Sequence, residues 1–334
     1  MTLKNKLLKK LSEGYNTVHS GQELATEFAV TRSAVWKAIE ELREQGYVIQ
    51  SIPRKGYQYI QSSKSIDPEQ ISLLLGEHGS DLKITLYDEV TSTNDVAKVH
   101  AANHPKDSKY VIARKQTKGR GRYGKSFHST IKEGLYSSLL VPVNQTQPDH
   151  IPLFTIATAT AMSEAIEEVT GKAVDIKWVN DLFYEGKKVS GILCEAISDI
   201  ESGQITSVVI GLGLNLAGDF NEADEMTQGV AGTLYEGELP KELNLNDLLS
   251  NYVSRLLTYI KEIDKKEYLP YYSDHLLGIN KPVKYSVKAE ERHGIIRGIN
   301  EEGHLIVELP SGEMEELFGQ EIHLSSSQFA KGGN

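Results

Sequence analysis

The spacing of apolar and polar positions changes period along the chain. Near the N-terminus it is helical. Ser20-Gly21-Gln22-Glu23 has the form of a capping box, with Ser20 at the N-cap and Glu23 at N3, and Leu24, Ala25 and Phe28 follow as a short apolar stripe. Ala29-Val30 makes a tight turn. Thr31 offers a second N-cap, Val35, Ile39 and Leu42 recur at helical spacing, and Gly46 ends the helix. Two short helices joined so closely predict a helix-turn-helix. Tyr47-Val48-Ile49-Gln50 and Tyr57-Gln58-Tyr59-Ile60 read as strands. Between them Pro53-Arg54-Lys55-Gly56 forms a basic hairpin tip, the wing of a winged helix.

A polar linker, Gln61-Ser62-Ser63-Lys64-Ser65, places a domain boundary near residue 64, and Asp67-Pro68 opens a new helix with Asp67 at the N-cap and Pro68 at N1. The period then becomes that of strands. Ile84-Thr85-Leu86-Tyr87 alternates, and Val111-Ile112-Ala113 is a continuous apolar run. Residues 176–184 read as two strand pieces around an Asn180-Asp181 turn, with further strands at 187–195 and 208–215. Three short strands at 282–287, 294–299 and 304–309, split by turn residues, predict a small β domain, and the chain from Ser325 is expected to fray. The expected domains are 1–64, 65–275 and 276–325, with a tail at 326–334.

Composition adds limits. Hydrophobic residues make up 39% of 334, enough for a packed core, and no run of about 18 apolar residues predicts a membrane span. The lysine-rich N-terminus runs into polar sequence rather than a signal core. The single cysteine, Cys194, excludes an internal disulfide and fits a reducing cytoplasm. The net charge of −10 would argue against nucleic acid, but residues 1–60 hold nine Lys/Arg against six Asp/Glu. A basic head on an acidic body confines any DNA contact to the head. Thr31, Arg32, Ser33, Trp36 and Lys37 at the start of the second helix, with Arg54 and Lys55 in the wing, are residue types that meet phosphates and base edges in a major groove. A helical domain whose charges are only solvated is the competing reading.

The central region carries the candidate chemistry. Ser92-Thr93-Asn94-Asp95 opens a helix, with Ser92 as N-cap and Asp95 at N3. Such an end caps itself or holds a polar ligand. The stretch 114–125 contains six cationic residues and three glycines. Arginine forks match phosphate and carboxylate, and glycine allows close backbone approach. The loop matches neither a P-loop nor a dinucleotide fingerprint. An anion cradle, a disordered basic linker and an RNA-binding RGG-like segment all remain open. Gly211 and Gly213 alternate on one strand and bare one of its faces for a flat ligand or a close neighbour. His128, His150 and His275 are scattered and read as ordinary surface or core residues. Cys194 reads as inert packing.

In order, Ser92-Thr93-Asn94, Gln116, Gly119-Arg120-Gly121-Arg122, Lys177-Trp178-Val179-Asn180-Asp181, residues 188–193 and Gly211-Leu212-Gly213-Leu214-Asn215 resemble the biotin protein ligase catalytic domain. The likeness spans about residues 1–325 and is to the bifunctional type, which also represses biotin synthesis genes. Phe127 stands where the family usually has tryptophan, and Val179 where it usually has proline.

The resemblance implies an α+β multidomain fold: an N-terminal winged helix-turn-helix, a central mixed-sheet class II synthetase-like ligase domain with helices on one side, and a C-terminal SH3-like β-barrel. It implies biotin and ATP as substrates, Mg2+ on the phosphates, and biotinyl-5′-AMP as intermediate and corepressor. The implied partners are operator DNA, the biotin acceptor domain of a carboxylase and a second copy in a ligand-promoted homodimer. Arg120, Arg122 and Lys188 would be catalytic. Ser92, Thr93, Asn94, Gln116, Gly119, Gly121, Gly191, Gly213 and Asn215 would help bind the ligands, and no residues are assigned to a metal. The loop 115–128 is expected to order on ligand, and 216–233 to cover the nucleotide. A lipoate ligase, or a ligand-sensing transcription factor without turnover, are the alternatives.

Overall fold

The computed structural model describes residues 2–13, 17–44, 47–60, 66–129, 131–146, 150–199, 201–287, 290–318 and 322–329. The chain divides into two compact units, residues 1–80 with 240–250, and residues 81–239 with 251–334.

The first unit contains α1 (Leu3–Glu13), β1 (Val18–His19), α2 (Gly21–Glu27), α3 (Arg32–Glu44), β2 (Ile49–Ile52), β3 (Gly56–Tyr59) and α4 (Pro68–Leu75). The expected caps form. Ser20 Oγ accepts from Glu23 N at 3.0 Å, and Thr31 Oγ1 accepts from Ala34 N at 3.2 Å. Ala29 turns the chain between the helices at φ 52°. Leu24, Val35, Ile39 and Leu42 are buried together with Leu7 and Leu11. The lysine-rich N-terminus is thus an amphipathic helix, which its leucines signal and its charge obscures. Arg43 ties α3 to β2, donating to Ile49 O through Nε (2.8 Å) and to Ser51 Oγ through Nη2 (2.9 Å).

The expected linker 61–65, its boundary near 64 and the helix stop at Gly46 lie outside the described residues. Residues 66–80, expected in the central domain, pack with the first unit. Leu73 joins its core. Gln70 Oε1 accepts from Tyr59 Oη (3.3 Å) and from Asn246 Nδ2 (3.0 Å), while Asn246 Oδ1 accepts from Asp67 N at 2.8 Å. The Asp67 cap forms as expected.

The second unit is built on β4 (Leu82–Val90), α5 (Thr93–Asn103), β5 (Ser108–Gln116), β6 (Glu133–Thr146), α6 (Ile151–Thr170), β7 (Asp175–Lys177), β8 (Asp181–Tyr184), β9 (Lys187–Ser198), β10 (Ile205–Ala217), α7 (Glu225–Val230), α8 (Leu245–Lys261, which starts in the first unit's segment) and α9 (Leu269–Asp274). The sheet order is β4-β5-β6-β10-β9-β8-β7. Only β4–β5, joined through α5, is parallel.

Helices cover both faces of this sheet, not one. On β10, Val209 pairs with Glu195 and Ile210 with Cys194, and neighbouring residues point to opposite sides. Val209 packs with Ala97 and Ala101 of α5. The Cys194 thiol meets Thr155 and Thr158 of α6 on the other side, and burial pushes it up to about 12, as expected of an inert packing residue. Both faces of β10 are apolar, so both need a cover.

The C-terminal strands β11 (Pro282–Val287), β12 (Glu290–Ile299), β13 (Leu305–Glu308), β14 (Met314–Leu317) and β15 (Ile322–Leu324) form an antiparallel sheet in the order β14-β13-β12-β11-β15. Trp178 Nε1 donates to Gly303 O at 2.9 Å and anchors this sheet to the turn after β7. Of the tail expected to fray from Ser325, Ser326–Phe329 forms a 3-10 turn whose Phe329 ring lies against Gly278, and residues 330–334 lie outside the described residues. Among the described residues no helix is long and apolar enough to cross a membrane.

Ile39 is fully buried in the first unit's core. Ile39→Ala should destabilise that unit by about 2–5 kcal/mol. Urea unfolding read by circular dichroism checks this. A shift below about 0.5 kcal/mol would mean that the helix pair does not depend on this core.

Candidate functional site

Three glycines, Gly191, Gly211 and Gly213, open a gap in one face of the β9–β10 pair. Gly191 and Gly213 are cross-strand partners, and the Phe127 ring lies where their Cβ atoms would stand, at 2.9 and 2.5 Å. Gly211 is bare for Asn94, whose Oδ1 would meet a Cβ at 2.2 Å. The bare face expected from the glycines therefore admits a close neighbour at each position. Above this floor opens a cavity of about 400 Å³, within the range of small-molecule sites.

A buried polar wall lines part of the cavity. Ser92 occupies the N-cap of α5, but its hydroxyl makes no capping bond. Thr93 donates through N and Oγ1 to Gln116 Oε1 (2.8 and 3.0 Å), and Gln116 Nε2 donates to Ser129 Oγ (3.1 Å). Ser138 Oγ reaches Thr93 Oγ1 at 2.7 Å and Asn94 Oδ1 at 2.5 Å. Asn215 Nδ2 donates to Gly232 O at 3.2 Å, while its buried Oδ1 has no partner among the described atoms and is free to accept from a ligand.

The basic loop between β5 and β6 is a small hairpin. Gly121 N donates to Lys125 O (2.7 Å), Phe127 N to Gly119 O (3.0 Å), and Tyr123 turns the tip at φ 57°. Its glycine content had suggested a segment ordered by ligand. These backbone bonds give it a shape of its own. Arg120 is held by Asp95 (2.5 Å) and, more loosely, by Glu195 (3.4 Å). Burial pushes the Glu195 carboxyl up, but Lys98, Asn94 and Arg120 outweigh it and hold it below the usual range. Arg122 lies over the Tyr123 ring and donates to Asn180 Oδ1 at 3.4 Å.

In the same cavity two lysines share one carboxylate. Lys188 Nζ is 2.6 Å from Asp181 Oδ1, and Lys177 Nζ is 3.4 Å from Oδ2. Burial pushes Asp181 up, but Lys188 and Lys177 override it and bring it down to about 2. Burial holds Lys177 below the usual lysine range, against the pull of Asp181. Lys188 is the more accessible lysine, with a side chain 26% exposed against 8% for Lys177.

Every ligand-site residue expected from sequence except Gly119 lines this cavity. Gly119 lies behind it, where a Cβ would strike Ser129 Oγ and Phe127 O. Phe220, Met226 and Val230, from the segment expected to cover a nucleotide, line it too, as does His128, expected to be ordinary. Asp181 and Ser326 were missed as site groups. Asp181 ends the Lys177-Trp178-Val179-Asn180-Asp181 run, so a signal existed for it. Ser326 had none.

In the first unit Thr31, Arg32, Ser33, Trp36 and Lys37 are exposed at the start of α3, and Arg54 and Lys55 are exposed at the wing tip. Thr31 Oγ1 is also the helix cap and lies 2.9 Å from Ser33 Oγ.

Three family models match the chain: HTH domain over residues 4–58, Biotin/lipoate A/B protein ligase family over 86–215, and Biotin protein ligase C terminal domain over 278–330. The chain is 30% identical to the bifunctional ligase/repressor BirA of Bacillus subtilis, over 97% of this chain and 99% of that protein. It is also 30% identical to the BirA of Escherichia coli, over 98% of each. The biotin protein ligase of Aquifex aeolicus in complex with biotin and ATP superposes with a TM-score of 0.57 at 27% identity, covering 73% of this chain and 99% of that one.

Because Asp181 is depressed to about 2 by its lysines, its ionised form adds stability above the unfolded carboxylate range, and that contribution is lost as pH falls through the folded value. The stability difference between wild type and Asp181→Asn should be roughly 2 kcal/mol or more near neutral pH and should shrink between about pH 5 and pH 2. Urea unfolding across that range tests it. A difference that does not change with pH would remove Asp181 as the anionic partner of the two lysines.

Proposed function

The chain belongs to the biotin protein ligase family of bifunctional ligase/repressors, and on that premise we infer that it activates biotin with ATP, transfers it to a lysine of an acceptor protein, and represses transcription in response to biotin. One observation carries the catalytic half. A single cavity is lined both by a hydrogen-bonding wall and by Arg120, Arg122 and Lys188. The wall suits a ureido ring, which needs donors and acceptors in an otherwise apolar slot. The cations suit a reaction that brings two anions together.

In the first step a carboxylate oxygen of biotin attacks the α-phosphorus of ATP. The bond to the β-phosphate oxygen breaks, giving biotinyl-5′-AMP and pyrophosphate. Lys188, fixed by Asp181, would face the carboxylate–phosphate junction and stabilise the charge that develops there. Arg122 would reach phosphate oxygens from the hairpin. Arg120 would do so only by loosening its hold on Asp95 and Glu195, so its contact with ligand is coupled to the seating of the loop. The tightening of 115–128 around ligand belongs to the same proposal. In the second step the acceptor's lysine nitrogen attacks the anhydride carbonyl, loses a proton and expels AMP.

Mg2+ is the expected counter-ion of the phosphates. Among the described residues no group of three metal-ligating side chains exists, and Asp181 is already taken by two lysines. The residues present do not build a cage for the ion, which would arrive with the nucleotide. The repressor half would use the exposed start of α3 and the wing, with operator DNA and a ligand-promoted homodimer, in the cytoplasm.

Wild-type protein with biotin, Mg2+ and ATP should show biotin-dependent pyrophosphate exchange that lipoate does not support. Lys188→Ala should lower its rate roughly a hundred- to thousand-fold. Absence of exchange in the wild type would defeat the ligase reading, and an unchanged Lys188→Ala rate would defeat the role given to Lys188. For the DNA half, removing Arg54 and Lys55 together should flatten the slope of log affinity against log salt by about 1–2. An unaltered slope in a filter-binding series would take the wing off the phosphates.

A further inference from the structure

Ser326 begins the 3-10 turn that follows the last strand of the C-terminal sheet, yet it lines the cavity. Lys177 Nζ donates to Ser326 Oγ at 3.0 Å, and Ser326 Oγ donates to Asp181 Oδ2 at 3.3 Å. The direct Lys177–Asp181 contact is longer, at 3.4 Å. An ammonium carries three donors, and one buried as deeply as Lys177 needs acceptors for them. Among the described residues its acceptors are Asp181 Oδ2 and this hydroxyl, contributed from 149 positions along the chain.

We propose that Ser326 is a positioning residue for the adenylation step: its hydroxyl seats the Lys177 ammonium on Asp181 Oδ2, and so leaves Asp181 Oδ1 to hold Lys188 at the reacting phosphate. The inference rests on the ligase reading and adds to it that the C-terminal module completes the catalytic wall. The charged groups facing Lys177 are Asp181 on β8, Lys188 on β9 and Lys125 of the basic hairpin, and only the first is anionic. Two of the three neighbours therefore favour loss of the Lys177 proton, as burial does. The hydroxyl, by accepting from the ammonium, opposes them. Without it, Lys177 gives up its proton at lower pH. Asp181 then loses one of its two cations, and the wall loses a positive charge that the two reacting anions require.

Full-length wild type, Ser326→Ala and Ser326→Thr are compared in biotin-dependent pyrophosphate exchange between about pH 6 and pH 10, with a thermal unfolding midpoint for each. Ser326→Ala should lower kcat about tenfold at the alkaline end, leave KM for biotin within about twofold, and move the alkaline limb of the pH profile down by about one unit. Ser326→Thr, which keeps the hydroxyl, should restore both the rate and the limb. If the wild type exchanges pyrophosphate and Ser326→Ala keeps the wild-type limb, the inference is overturned, whatever happens to the unfolding midpoint. A Ser326→Thr profile matching Ser326→Ala overturns it as well. Absence of exchange in the wild type is a different result: it removes the ligase reading, and this inference with it.

Discussion

Gly191 and Gly213 face each other across β9 and β10, and the site rests on the gap they leave. A methyl group on either would stand inside the Phe127 ring, and one on Gly211 would stand on Asn94. The ring ends the basic hairpin, and Asn94 opens α5, so two elements are seated by what those strands lack. Asn94 then carries the placement outward. It accepts from Ser138 and donates to Glu195, which in turn holds Lys98 and Arg120. At its buried end, Ser138 and Asn94, the members of this polar chain satisfy one another.

The cations around the cavity are of two kinds. Arg120 and Arg122 stand on a hairpin whose backbone closes on itself but whose side chains remain partly open to solvent. Lys177 and Lys188 stand on sheet strands, with one carboxylate between them. A charge fixed by sheet geometry costs little reorganisation when a reaction develops charge beside it, whereas one on a loop can move with the ligand. This division suits a reaction in which one anion is admitted and then forced onto another.

Phe127 and Val179 stand where the family usually has tryptophan and proline. Phe127 keeps an aromatic face on the glycine floor and packs edge-on against Tyr136. Val179 remains buried, and Tyr272 Oη donates to its carbonyl at 3.2 Å. Both departures keep the apolar contacts of the wall.

Local pattern alone settled the helix-turn-helix, with its two caps and its wing, because caps and amphipathic stripes depend on neighbours three or four positions away. It also settled the main strands and the order of the ligand-site motifs. Tertiary structure decided what depends on distant partners. Residues 66–80 join the first unit because Gln70 meets Tyr59 and Asn246. Helices cover both sheet faces because neighbouring positions on β10 are equally apolar. Arg120 is a paired cation because Asp95 and Glu195 come from other elements. Ser326 belongs to the site because a buried ammonium lies beside it, and nothing in the residues flanking a serine near the end of a chain encodes that.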